Sequence, residues 1–147
     1  MSCYADTGFL VSLHGSDANT AAAKSWLQLH GSPMVWTWLH EMEFRNAVRL
    51  QVFRKQINRR DSKLILHNQA LGLETGVYLS SNPAGAEVCR EVERLSNLYT
   101  SSLGTRTLDL LHVAQAIVLG VPQFLTFDVR QASAARAAGL DTPALLR

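Results

Sequence analysis

Short apolar runs of strand length alternate with longer stretches of helical period along the whole chain. That alternation confines the fold to an α/β domain, with a mostly parallel sheet covered by helices on both faces. The runs at 2–5, 34–37, 76–79 and 123–127 read as strands, and the tail 141–145 as a last short one. The periodicity predicts helices over 38–54, 59–71, 86–100, 107–119 and 129–138. A brief helical turn through Phe9, Leu10 and Leu13 follows the first strand. The next helix runs from an Asp17 cap to about Leu29, with Ala22, Trp26 and Leu29 on one face. Gly31-Ser32-Pro33 reads as a turn, and Gly72 as the stop of the helix at 59–71. Trp26, Trp36 and Trp38, at element boundaries, read as core residues.

The length of 147 residues suits one domain, 1–147, large enough to bury its own core. Cys3 and Cys89 are too few for a disulfide framework and have no zinc-ligand spacing, which suits plain thiols in a reducing cytoplasm. The N-terminus lacks the basic start of a secretory signal, and no apolar run approaches a membrane span, so the expectation is a cytoplasmic protein with no membrane contact. Net charge is only +2, but Arg45, Arg49, Arg54, Lys55, Arg59, Arg60 and Lys63 make up half of the 14 basic residues, and between them only Asp61 is acidic. Such a surface can hold a phosphate backbone. It is equally the solvated face of a helix pair.

In a parallel α/β sheet the working site lies beyond the carboxyl ends of the strands. Asp6 ends the first strand and Asp128 the run 123–127, so both project from one edge. Asp109 sits in the first turn of the helix at 107–119. Taken singly, Asp6 and Asp128 can be helix N-caps, and Asp109 can complement a helix dipole. Glu43 differs. It shares a helical stripe with Leu39, Ala47 and Leu50, whereas Glu41 lines up with Arg45 as an exposed pair. A carboxylate on an inward face needs a partner, and no lysine or arginine lies on its stripe within a turn. Another part of the chain, or a metal, must supply one. Acids gathered at one edge repel each other unless a cation joins them. All-oxygen ligands suit Mg²⁺ or Mn²⁺, and such a site suits phosphodiester hydrolysis, with one ion or two.

At these residues the chain resembles the PIN-domain family, especially the VapC-like toxins of toxin–antitoxin pairs. YADTGFLVSL is similar to the opening strand with its aspartate, Asp6, and HEMEFRNAVRL to the helix bearing the family's glutamate, Glu43. RTLDLLHVAQAIVLG is similar to the segment with the third acid, Asp109, and FLTFDVRQASAARAAGL to the closing strand and helix with Asp128. The resemblance spans nearly the whole chain, although 72–105 carries no motif. It implies a PIN-like three-layer α/β/α sandwich and Mg²⁺- or Mn²⁺-dependent cleavage of RNA by Asp6, Glu43, Asp109 and Asp128. It also implies a homodimer inhibited by a cognate antitoxin. Two other roles stay open: a PIN-type nuclease that processes RNA, and a catalytically silent module that binds RNA or protein.

Several side chains can support the acids. Thr7 and Thr126 flank the expected site and can orient an acid or a water, or serve turns and caps. Asn46, one turn after Glu43, can hydrogen-bond there or to backbone. Arg106 and Arg130, with Arg45 and Arg49 further off, can contact RNA phosphate, and the first two can equally be counter-charges to the acids. His112 reads as a hydrogen-bonded core histidine. No Walker-type or G-x-G-x-x-G loop, G-x-S-x-G elbow or H-E-x-x-H helix is present.

Overall fold

The computed structural model describes residues 1–31 and 33–145. Its strands are short: β1 is Tyr4–Ala5, β2 Met34–Trp36, β3 Tyr78–Ser80 and β4 Phe124–Leu125. β1 pairs with β4 and β2 with β3, both in parallel, and a Cys3–Met34 bridge joins the two pairs. The strand order is therefore β3-β2-β1-β4. Beyond β4 the expected tail strand contributes one parallel bridge, Gln123 to Asp141.

Period-two alternation sends successive residues to opposite faces of this sheet. Cys3, Ala5, Met34, Trp36 and Leu125 enter one core with Phe9, Leu10, Trp26, Phe44 and Val48. Tyr4, Val35 and Phe124 enter a second core with Val88, Leu95, Leu110, Val113 and Ala135. Helices α1 (Thr7–His14), α2 (Thr20–His30), α3 (Trp38–Phe53) and α4 (Arg59–Glu74) belong to the first face. Helices α5 (Gly85–Leu95), α6 (Ser101–Leu103), α7 (Thr107–Val118) and α8 (Val129–Ala137) lie on the other side of the chain's course, with α5, α7 and α8 building the second core. This is the expected α/β/α sandwich. Among the described residues no helix is long and apolar enough to cross a membrane.

Where the structure departs from the pattern, side-chain chemistry explains it. The turn after β1 is a full helix, because Asp6 accepts the Phe9 N–H at 2.7 Å and caps it. Helix α2 begins later than Asp17, which instead holds the preceding turn by accepting from Asn19 N and Ser12 Oγ. Its buried residues are Ala23 and Trp26, while Leu29 is 79 % exposed. Thr37 leaves β2 to cap α3 in a reciprocal box with His40. The buried stripe of α3 runs through Leu39, His40, Phe44 and Val48, with Leu50 outside it, so Glu43 flanks the core rather than sharing its centre. Gly72 does not stop α4. It lies inside the helix where a Cβ would come within 2.6 Å of the Tyr78 ring, and the turn falls to Gly76, whose φ is +80°. The helix expected at 86–100 widens into a π turn at Ser96–Thr100. Trp36 is buried and Trp38 half-buried. The turn at Gly31-Ser32-Pro33 includes Ser32, which is outside the described residues.

Candidate active site

Because β1 and β4 run in parallel, the residues that follow them emerge at one edge. Asp6 leaves β1 as the N-cap of α1, and Asp128 caps α8 by accepting the Gln131 N–H at 3.0 Å. Strand β4 ends at Leu125, so Thr126 stands between strand and cap and links the two acids. Its hydroxyl lies 2.6 Å from Asp6 Oδ2 and accepts from Asp128 N at 2.9 Å. Asp109 reaches the same edge from the first turn of α7. A cleft of about 350 Å³ is lined by Asp6, Asp109 and Asp128 together with Arg106, Phe127, Asn19, Ser12 and Gly8. It continues past Asp109 and Asp128 to Arg130.

Glu43 approaches from α3. Its partners are Thr7, whose hydroxyl donates to Oε1 at 2.9 Å, and His112, whose Nε2 lies 2.5 Å from the same oxygen. The predicted need for a partner from elsewhere in the chain is thus met by α1 and α7. His112, read from the sequence as a core histidine, is buried and also touches this site. Burial pushes the Glu43 carboxyl up, but the His112 hydrogen bond and charge, with Thr7, hold it below its usual value. Asp6 is the opposite case. Burial, and then the Asp128 charge, raise it despite the hydrogen bonds from Thr126 and Phe9.

The remaining candidates divide cleanly. Arg106 donates from Nε to Asp109 Oδ2 at 3.2 Å while its side chain stays 76 % exposed, so the rest of its guanidinium faces solvent beside the cleft. Arg45 pairs with Glu41 on α3, and Arg49 is exposed; neither lines the cleft. Asn46 is exposed and makes no side-chain hydrogen bond among the described residues. Asn19, Ser12 and Phe127 line the cleft without having been expected there, since only packing of α1 and α2 brings the first two to it.

The PIN family model matches residues 3–137. The chain belongs to the PIN-domain family. Solved structures agree with that fold. VapC20 of Mycobacterium tuberculosis, described as a toxin that cleaves the sarcin–ricin loop, superposes with a TM-score of 0.66 at 18 % identity, over 95 % of this chain and 96 % of its own. FitAcB from Neisseria gonorrhoeae gives 0.67 at 16 % identity, over 99 % and 98 %. PAE2754 from Pyrobaculum aerophilum gives 0.60 at 15 % identity, over 97 % and 83 %. No curated protein matches the sequence.

The donor set of this PIN domain suits a hard divalent cation. Asp6 is buried beside Asp128 with no lysine or arginine bonded to it among the described residues. Glu43, Asp128 and Asp109 are each anchored by one oxygen, leaving Glu43 Oε2, Asp128 Oδ2 and Asp109 Oδ1 without hydrogen-bond partners among the described residues. The three aspartates line one cleft, but among the described residues no three His, Cys, Asp or Glu side chains form a ready metal cage. Mg²⁺ is commonly held by one or two carboxylates, with water and substrate phosphate completing its shell.

Proposed function

We propose that the protein is a Mg²⁺- or Mn²⁺-dependent endoribonuclease that acts as the toxin of a toxin–antitoxin pair. The observation that carries this reading is the cleft where Asp6, Asp109 and Asp128 meet Arg106 and Arg130 at the carboxyl edge of the sheet, with Glu43 tethered beside them. The description of VapC20 as a toxin that cleaves the sarcin–ricin loop supports the substrate and the role. A cognate antitoxin and a homodimer belong to the same reading, as does a place in the cytoplasm.

Asp6, Glu43, Asp109 and Asp128 would hold the cation. Once bound, it would polarise the phosphoryl oxygen, lower the pKa of water and stabilise the leaving oxygen. The chain's own residues do the rest. Arg106 and Arg130 offer guanidinium groups to phosphate at the cleft rim. Thr126 keeps Asp6 and Asp128 in register. Asp109 and Asp128, less buried than Asp6, present their free oxygens to water entering the cleft. Hydrolysis then adds water to phosphorus and breaks the bond to the leaving ribose oxygen.

Purified protein incubated with tRNA, rRNA and mRNA should cleave with Mg²⁺ or Mn²⁺ and stop with EDTA. Folded Asp6→Asn and Asp109→Asn variants should be inactive. Induced expression should arrest growth, and co-expression of a short adjacent reading frame encoding a DNA-binding antitoxin should relieve it. Metal-dependent cleavage without growth arrest would replace the toxin with an RNA-processing nuclease. RNA binding without cleavage, unchanged in Asp6→Asn, would make the chain a binding module.

A further inference from the structure

Behind Glu43 lies a run of buried polar groups that the proposed chemistry does not itself require. His112 Nδ1 is 2.8 Å from the Tyr4 hydroxyl, which is 2.8 Å from Gln115 Oε1. The Thr37 hydroxyl donates to that same Gln115 oxygen at 2.6 Å. The Thr37 N–H donates to His40 Nδ1 at 3.0 Å, and His40 Nε2, left with the proton, donates to the Ala5 carbonyl at 2.8 Å. Tyr4, Thr37, His40, His112 and Gln115 are all buried. The chain of contacts therefore starts at the Glu43 carboxylate and ends on the peptide that delivers Asp6.

Such a network is costly. Each polar group gives up water, and Gln115 Nε2 remains without a partner among the described residues. Apolar side chains would fill the same space between β1, α3 and α7 without that cost. What the network adds is direction. Thr7 and His112 both bind Glu43 Oε1, so the carboxylate cannot rotate freely and its Oε2 is left without a hydrogen-bond partner among the described residues. His112 in turn cannot swing, because Tyr4 holds the opposite ring nitrogen and packs edge-on against the ring.

We propose that His112 is a positioning residue that aims Glu43 at the metal, and that Tyr4 locks the His112 ring in place. The proposal rests on the metal-dependent reading above. Outer-shell partners that orient a ligand change metal affinity or activity by about 10- to 100-fold when removed.

The test is direct Mn²⁺ binding, read as loss of the free-ion electron paramagnetic resonance signal, alongside RNA cleavage and thermal melting. His112→Phe keeps the ring and removes both nitrogens; it should weaken Mn²⁺ binding about 10-fold. His112→Gln, which restores an N–H toward Glu43, should recover most of that loss whatever its melting temperature. Tyr4→Phe removes one hydroxyl and should weaken Mn²⁺ binding by a smaller factor, and it decides the matter if His112→Phe does not fold. A folded His112→Phe or Tyr4→Phe variant with unaltered Mn²⁺ affinity overturns the proposal while leaving the nuclease reading intact. Failure of the unaltered protein to take up Mn²⁺ would overturn the metal-dependent reading, and this proposal with it.

Discussion

The four acids of the proposed site are held by two different devices. Asp6 and Asp128 stand where the chain leaves a strand, and each accepts the amide of the residue three positions on, Phe9 or Gln131. Their placement is local: the turn that starts the helix also aims the carboxylate. Glu43 stands mid-helix, where no backbone amide is free to hold it. Asp109, in the first turn of α7, takes its side-chain hydrogen bond from Arg106 rather than from a backbone amide among the described residues. Glu43 is bonded to Thr7 and His112, 36 and 69 residues away in sequence, and Asp109 to the exposed Arg106. The capped pair should therefore tolerate loss of charge without loss of shape. The helix-borne pair depends on the packing of α1, α3 and α7.

Asp6→Asn separates charge from shape most sharply. Asparagine caps a helix about as well as aspartate, and the change removes a buried charge that burial and Asp128 both disfavour. Cleavage should fall more than about 100-fold, beyond the usual effect of an outer-shell change, while the melting temperature holds or rises. Asp6→Ala should be equally inactive and about 1 kcal/mol less stable, because the cap is gone. Denaturation curves for the two variants check the stability difference. An active Asp6→Asn enzyme would reduce Asp6 to a cap.

The support behind Glu43 contains histidine, so it should be the acid-sensitive side. Burial lowers the His40 pKa from 6.5 to about 3, with the neighbouring His112 charge acting in the same direction. Its folded value is depressed, so the unfolded chain takes up the proton first. The stability associated with neutral His40 is complete above pH 6.5 and is lost progressively as pH falls toward 3. At pH 5 this amounts to about 2 kcal/mol, taking 1.36 kcal/mol per pH unit below 6.5. His14, lowered to about 4 chiefly by burial, acts with the same sign. Urea denaturation at pH 7 and pH 5 measures the loss directly, and equal midpoints would mean that neither histidine is buried in its neutral form.

Removing one hydroxyl on each side compares the two devices. Thr126→Val strips Asp6 Oδ2 of its donor and leaves the Asp128 amide without its acceptor, so cleavage should drop about 10-fold. Thr7→Val leaves His112 still bonded to Glu43 Oε1, and the drop should be smaller. Initial rates at matched Mn²⁺ concentration give the ratio. A reversed order would mean that the α1 and α3 side, rather than the capped pair, limits the geometry.

This contrast also explains what could be read from the residues alone. The α/β layering followed from apolar alternation, because a two-faced sheet sends Cys3 and Ala5 one way and Tyr4 the other. Asp6 and Asp128 were readable for the same local reason, since each ends an apolar run and starts a helix. Glu43 could be singled out as an acid lacking a local counter-charge, yet nothing near it in sequence reveals Thr7 or His112. The role of Thr126 depends on β4 ending at Leu125, earlier than its apolar run suggests. Gly72 was misread as a helix stop because its function is an approach to Tyr78 that no periodicity records. Asn19 and Ser12 reach the cleft only through the packing of α1 and α2.

The smallest expected effect tests the weakest support, Arg106. Its side chain is exposed and bonds Asp109 through Nε alone, so an exposed pair of this kind adds little to stability and Arg106→Gln should melt with the unaltered protein. Two roles remain for the guanidinium. If it meets phosphate, the substitution should raise KM at low salt and lessen the dependence of log affinity on log salt by about one ion, with kcat nearly unchanged. If it only steadies Asp109, KM and its salt dependence should hold while kcat falls. Because most of the guanidinium faces the cleft rim rather than Asp109, the first outcome is expected. The second would place Asp109 beside Glu43 as an acid aimed entirely by another side chain, and so extend the division between capped and helix-borne acids to every member of the site.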